Sequence, residues 1–169
     1  MTSPIRASSA LAFGLLVALF AACAEAPTAR FPTATASATA SLKPPLPSAC
    51  AELTPIQSSQ LGPEVQGIGQ GATLWALLMP TGPLPVAAEE QIKIVWRMTG
   101  SGDFTLIAVG PGGVAVRPTQ GPQPHLGSNW NRPGDEWGTI FVFPTAGCWD
   151  LHAARGTASG DVYLPVAHA

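Results

Sequence analysis

Glycine and proline interrupt this chain so often that short strands joined by turns are the structure it can form. The 18 glycines and 18 prolines separate apolar runs such as ATLWALLMP, EQIKIVWRM, FTLIAV and WGTIFVFP. Segments such as TGSGD and VGPGG are typical of turns between strands, because glycine adopts positive φ angles without steric cost. No segment after about residue 50 keeps the 3.6-residue period of an amphipathic helix. Helical folds are therefore excluded.

The clearest strand is Gln91–Met98, in which apolar and polar residues alternate. Side chains on a strand point alternately to its two faces. The residues predicted to face inward are Ile92, Ile94, Trp96 and Met98. About seven such strands without helices predict an all-β fold, a single antiparallel β-sandwich of Greek-key type like immunoglobulin and cupredoxin domains. A closed barrel of the same strands is the alternative.

The N-terminal segment is typical of an exported protein. One cation, Arg6, precedes an apolar run from Ala10 to Ala22 that is too short for a permanent membrane helix and is typical of a secretory signal. The sequence LFAAC resembles a lipobox, in which Cys23 would be lipidated and become the mature N-terminus. The alternative is cleavage at a small-x-small site that spans Ala22–Ala24. Residues 1–23 are therefore expected to be a signal peptide.

Residues 24–49 consist mainly of Ala, Thr, Ser and Pro with few charges. Such a segment cannot bury enough apolar surface to offset the entropy of ordering, so we predict a disordered tether that leads to one domain at 50–169. This order predicts a protein at the cell surface or in the periplasm, attached to the lipid bilayer through an acyl group on Cys23. Plain secretion is the alternative.

Charge excludes one class of partner. The net charge is −2, and acidic and basic residues are scattered along the chain. Proteins that bind nucleic acid carry a basic patch or stripe, or a recognisable reading motif. The chain has neither, so a nucleic-acid partner is not expected.

Cys50 and Cys148 form the predicted structural pair once Cys23 is assigned to the anchor. In an oxidising compartment they should form a disulfide that closes a loop of nearly a hundred residues and stabilises the fold by about 4–5 kcal/mol. The bond would staple the incoming segment to the penultimate strand. Trp149 follows Cys148 directly, so alternation puts the two on opposite faces, unlike the immunoglobulin pattern.

The segment HLGSNWNRPGDEWGTIFVF, residues 125–143, crowds polar and aromatic residues into a turn-rich stretch before a strand. Its RPGD sequence at 132–135 predicts a type II turn, with Pro at the second position and Gly at the third. Arg132 can pair with Asp135 or Glu136.

Two interpretations of this segment are open. In the first, the loop binds a glycan, a peptide or a protein partner. Trp130 is then a stacking platform, and the polar contacts come from Asn129, Asn131, Arg132 and Asp135. In the second, Trp137 fills the core, Trp130 covers its edge, and the polar groups bond local backbone and tie the loop down.

The C-terminal segment FVFPTAGCWDLHAARGTASGDVYLPV resembles the last two strands of cupredoxins. A blue-copper site needs a cysteine thiolate and two histidines, usually with a methionine. Here Cys148 precedes the aromatic residue and is expected to be oxidised, His152 stands alone, and no methionine follows Met98. The resemblance implies topology, and we predict neither a metal nor a cofactor.

Catalytic signatures are not recognisable. The chain has no Gly-x-Ser-x-Gly elbow, and His125, His152 and His168 have no nucleophile in register. Asp135 and Glu136 are adjacent, so on a strand they would point to opposite faces, which does not suit a pair of catalytic acids. The sequence therefore predicts a protein that is not an enzyme.

The stretches SNWNRPGDEWGT, FPTAGCW and GDVYLPV resemble a recurring group of uncharacterised bacterial secreted proteins and lipoproteins with a C-terminal Gly-Cys-Trp strand motif. The resemblance covers roughly Ile92 to Val166 and implies a location and a fold, without an activity. We therefore predict a non-catalytic cell-surface lipoprotein that binds a ligand or partner. The alternatives are a purely structural envelope protein and a metal-binding protein of cupredoxin type.

Overall fold

The computed structural model describes residues 50–169, the part of the chain predicted to form the folded domain. The predicted signal peptide, the lipobox at Cys23 and the tether at 24–49 lie outside the described residues. The elements in chain order are α1 (Cys50–Leu53), β1 (Ile56–Ser59), β2 (Gly62–Gln66), β3 (Ile68–Gln70), β4 (Leu74–Pro80), β5 (Gln91–Met98), β6 (Phe104–Val109), a 3-10 turn (Pro111–Gly113), β7 (Ala115–Val116), β8 (Gln120–His125), β9 (Asp135–Val142), β10 (Gly147–Arg155) and β11 (Ala158–Val166).

The strands form two sheets that pack face to face. Sheet A has six strands in the order β1-β2-β4-β5-β9-β8, and sheet B has five in the order β3-β11-β10-β6-β7. Every pairing between these named strands is antiparallel. The predicted antiparallel β-sandwich is therefore confirmed.

The chain changes sheets between β5 and β9. These two strands are neighbours in sheet A, where Gln91 lies opposite Val142 and Met98 lies opposite Asp135. The intervening chain forms β6 and β7 of sheet B and then returns as β8 at the edge of sheet A. Strands distant in sequence thus become neighbours at the centre of sheet A.

The main core lies between the sheets, and the alternation in β5 is reproduced there. Its predicted inward residues Ile92, Ile94, Trp96 and Met98 are fully buried. Trp137 lies in the same core and stacks on Phe104 with ring centroids 4.4 Å apart. The prediction that Trp137 fills the core is therefore confirmed.

The predicted disulfide between Cys50 and Cys148 is present, with Cα atoms 5.5 Å apart. It ties α1 to the start of β10. Thr54, just after α1, adds two hydrogen bonds to the backbone of Tyr163 on β11, at 2.9 and 2.8 Å. Trp149, next to Cys148, is fully buried in the core. The disulfide therefore ties the start of the domain to sheet B, as predicted from the cysteine positions.

Within residues 50–169, no helix has the length and the apolar character needed to cross a membrane.

Candidate functional site

The loop 126–134, between β8 and β9, folds across the outer face of sheet A. Its Trp130 is 3% exposed and packs against Trp75, Leu77 and Val95, which point outward from β4 and β5. We call these four residues the outer cluster. Trp130 thus offers no open ring face for stacking, and it covers this second cluster rather than an edge of the main core.

Polar groups fix the loop over the outer cluster. The indole Nε1 of Trp130 donates a 2.8 Å hydrogen bond to Oε2 of Glu64 on β2. The guanidinium of Arg132 pairs with the same carboxylate and lies 3.9 Å from the centre of the Trp75 ring. The Arg132 hydrogen bond outweighs burial and holds the pKa of Glu64 below its ordinary value. Glu64 is therefore a buried carboxylate that is both paired and ionised.

The predicted pairing of Arg132 with Asp135 or Glu136 is wrong. Asp135 pairs with Arg155, whose guanidinium also donates a 2.7 Å hydrogen bond to the Met98 carbonyl at the end of the sandwich. Glu136, one residue on, belongs to the outer face. The side chains of these two adjacent acids thus lie on opposite faces of sheet A, as their spacing predicts.

Glu136 anchors the base of the loop. Arg97 donates to its carboxylate at 2.8 Å, and His125 Nδ1 lies 2.5 Å from its other oxygen. Burial opposes ionisation of this carboxyl, but hydrogen bonds from Arg97, Ser128 and His125 outweigh it and hold the pKa of Glu136 below its ordinary value. Both ends of the loop are therefore tied to buried, ionised carboxylates.

The turn that ends the loop depends on Gly134. Its φ of +99° suits the third position of the predicted type II turn. A Cβ there would lie 2.2 and 2.3 Å from the Met98 carbonyl group, so no other residue fits. Ser128 makes the local side-chain bond to the backbone, at 2.9 Å to the Trp130 amide. In the described chain Asn129 and Asn131 make no such bond.

A groove runs beside this loop across the outer face of sheet A. One half, about 300 Å³, has an aliphatic floor and rim. Its apolar lining consists of Leu61, Leu77, Met79, Val95 and the buried Trp130. The other half, about 290 Å³, is lined by Gly138, Ile140 and the exposed amides of Gln120 and Gln123. Lys93 and His125 border both halves. We refer to the two halves together as the groove.

Gly138 forms part of the groove floor, beside the register shift of β8 between Gln120 and Gln123. It lies in the middle of β9, opposite Val95 on one side and Gln123 on the other. Its φ is not in the left-handed region, and a Cβ added there would meet no atom within 4 Å. Glycine weakens a strand interior and often marks a place where a ligand approaches the backbone closely. Gly138 thus leaves open space over the groove floor.

Lys93 is an exposed cation on this face. It lies between Met79 on β4 and Ile140 on β9 in the strand register. Among residues 50–169 it forms no ion pair, whereas Arg97 and Arg132 are each bonded to a carboxylate. The groove therefore carries a positive charge that the described domain does not neutralise.

The sequence-predicted site residues divide between the groove and its supports. Asn129 and Trp130 line the apolar half of the groove. Arg132 belongs to the loop and pairs with Glu64, Asp135 belongs to the end of the sandwich, and Asn131 is exposed.

Sequence reasoning missed the groove residues Met79, Lys93, His125 and Gly138. One signal was present. In the alternating strand DEWGTIFV, glycine occupies an outward position where an ordinary surface residue would fit.

Other candidate chemistry is sparse in the described domain. His152 lies on the outer face of sheet B, where its Nδ1 is 2.7 Å from the Asp161 carboxylate. Within residues 50–169, no three His, Cys, Asp or Glu residues approach closely enough to hold a metal ion. The groove is therefore the site that the described residues favour.

The chain matches no protein-family model, and no curated protein or solved structure matches it significantly.

Proposed function

We propose that this protein is a non-catalytic binding module whose ligand lies in the groove on the outer face of sheet A. The observation that carries the proposal is Gly138, a glycine in a central strand whose missing side chain leaves open space over the groove floor. No steric contact in the described domain requires glycine there, and a β-branched residue would suit the strand better.

The environment of the groove favours a ligand that is not held by aromatic stacking. Every tryptophan and phenylalanine in residues 50–169 is buried, and the half-buried Tyr163 lies on β11 of sheet B, so no exposed indole or phenyl ring lines the groove as a sugar platform. The available surface is aliphatic, with amides and one cation beside it. This supports a peptide or protein ligand over a glycan.

The loop supports the proposal because several contacts fix its position. Trp130 and Arg132 converge on Glu64, and the base of the loop is held by Glu136. A preformed wall loses little conformational entropy when a ligand binds, which favours affinity.

We also propose that the protein is exported and attached to the membrane through Cys23. The order of signal, tether and domain supports this location, as does a disulfide of the kind that persists in oxidising compartments. In the native host, wild-type protein should fractionate with membranes, and a Cys23→Ala variant should be released. Equal distribution of the two proteins would reject the anchor.

The binding proposal is tested by a paired ligand screen. Wild-type protein and Gly138→Val are compared against peptides, glycans and cell-wall fragments by ligand-observed NMR. The valine should abolish binding, because it occupies the groove floor. Ala154→Val is the matched control, since it adds a similar side chain on β10 of sheet B, and it should bind like wild type. A purely structural role predicts no ligand in the screen whose binding depends on Gly138.

A further inference from the structure

We infer that the groove takes an extended segment of a partner protein in which an acidic residue, seated at Lys93, accompanies an apolar residue seated beside Met79. This inference rests on the proposed binding function and specifies its ligand. Lys93 borders both halves of the groove, so the anionic group belongs in the middle of the ligand rather than at its end.

Charge supplies the first argument. The two buried carboxylates of this face, Glu64 and Glu136, are already paired with Arg132 and Arg97. Lys93 has no such partner among residues 50–169. Among the described residues, its ammonium group is the charge of the groove that remains unneutralised, and a carboxylate is the complementary group on a protein ligand.

The aliphatic half supplies the second argument. Met79 is 43% exposed and Leu61 is 38% exposed, and both border a floor of Leu77 and Val95. Flexible methionine side chains adapt to apolar partners of different shape. An aliphatic side chain of the partner would cover this surface.

The polar half can bond an extended polypeptide backbone. Gln120 and Gln123 line it, and in the described chain neither side chain makes a hydrogen bond. Primary amides both donate and accept, so they match the N–H and C=O groups of an extended backbone. The absence of a Cβ at Gly138 lets that backbone approach the sheet.

Strand spacing sets the length and the pattern of the segment. The groove crosses β4, β5, β9 and β8, and neighbouring strands lie about 4.8 Å apart, so it spans about 14 Å or about four extended residues. Side chains on one face of an extended peptide are two residues apart. The pattern is therefore an apolar residue and an acidic residue separated by one position.

The test uses fluorescein-labelled octapeptides with Leu-Ser-Glu or Glu-Ser-Leu at the centre and Gly/Ser flanks. Glu is replaced by Gln or Lys in matched peptides, and Leu by Ser in another. Fluorescence anisotropy with the full-length chain should show binding of a Glu peptide, about five- to tenfold weaker binding of its Gln form, and no binding of its Lys form. Replacing Leu should also weaken binding, since it removes the apolar contact.

Charge exchange on the protein makes the test specific. The Lys93→Glu variant should no longer bind the Glu peptide and should bind the Lys peptide. Arg117→Glu is the control, because Arg117 is an exposed cation outside the groove, and its peptide preference should equal that of wild type. A preference that Lys93→Glu leaves unchanged would overturn the inference, as would equal affinity for the Glu, Gln and Lys peptides.

Two outcomes separate this inference from the proposed function. If dodecanoate or a glycan binds in a Gly138-dependent manner and the peptides do not, the groove is a binding site and the acidic-peptide assignment is wrong. If no probe of any class binds in a Gly138-dependent manner, both proposals fail.

Discussion

Sheet A carries a tryptophan cluster on each face, and the two clusters are built differently. On the inner face, Trp96 and Trp137 lie in an apolar core sealed by sheet B. On the outer face, Trp75 is covered by Trp130 from the loop 126–134, and the polar groups of this loop converge on the buried carboxylate of Glu64. The inner cluster joins two sheets, and the outer cluster positions one loop.

This difference separates stability from function. A core between sheets is shared by most strands, so damage there destabilises the whole domain. The outer cluster involves only two strands and the loop 126–134. A substitution in this cluster should therefore let the loop open locally and deform the groove before the rest of the domain unfolds. Substitutions in the two clusters should therefore affect the free energy of unfolding and ligand binding in different proportions.

The largest change in stability is expected from the disulfide, which lies on sheet B away from the groove. Replacing both Cys50 and Cys148 with serine should lower the free energy of unfolding by about 4–5 kcal/mol, because the unfolded chain gains loop entropy. Urea unfolding measures the loss. Any protein that remains folded should still bind groove ligands, and loss of binding without unfolding would show that the groove depends on the staple.

The inner cluster should show the next largest effect. Trp96→Ala removes a fully buried side chain, together with its 2.8 Å hydrogen bond to Thr139, and should cost about 3–5 kcal/mol. The folded fraction should bind ligand normally. A loss below about 1 kcal/mol in urea unfolding would contradict the assignment of Trp96 to the main core.

Trp130→Ala tests the outer cluster directly. We expect a loss of about 2 kcal/mol, because one side of the cluster is a loop that can open to water. Amide hydrogen exchange should accelerate in residues 126–134 and stay slow in β5. Equal acceleration in both segments would show that the two clusters form a single cooperative unit.

Acid should weaken the outer face through Glu64 and Glu136. Both carboxyls have a folded-state pKa below the ordinary value of 4.5, so they stabilise the fold fully above about pH 4.5. As the pH falls below that value, the unfolded chain takes up protons first and this stabilisation is lost. Urea unfolding from pH 6 to 3 should show a decline in the free energy of unfolding. The Glu64→Gln variant should show a smaller decline over the same pH range. A decline of the same size in this variant would show that Glu64 does not contribute to the loss of stability in acid.

Local sequence patterns accounted for the fold and for the inner cluster. Alternation assigned Trp96 to the core, and the cysteine positions predicted the staple. The same alternation placed Val95 on the outward face but could not show that it is buried, because its cover is Trp130, which lies far along the chain.

The candidate site depended on contacts that no local pattern contains. Arg132 pairs with Glu64, and the two are 68 residues apart in sequence. Sequence reasoning considered only neighbouring acids as partners, which is why that pairing was wrong. The groove likewise arises where a loop meets the outward residues of four strands, so its members are scattered along the chain.

The most direct measurement is chemical-shift mapping of a bound ligand on wild-type protein and on Gly138→Val, with the free energy of unfolding measured for both. The variant should unfold within about 1 kcal/mol of wild type, because a Cβ at this position has open space around it. In wild type the shifts should cluster on Lys93, Gln123 and Gly138, and in the variant they should disappear. Undiminished binding by a well-folded Gly138→Val, or shifts confined to sheet B, would contradict a ligand site in the groove.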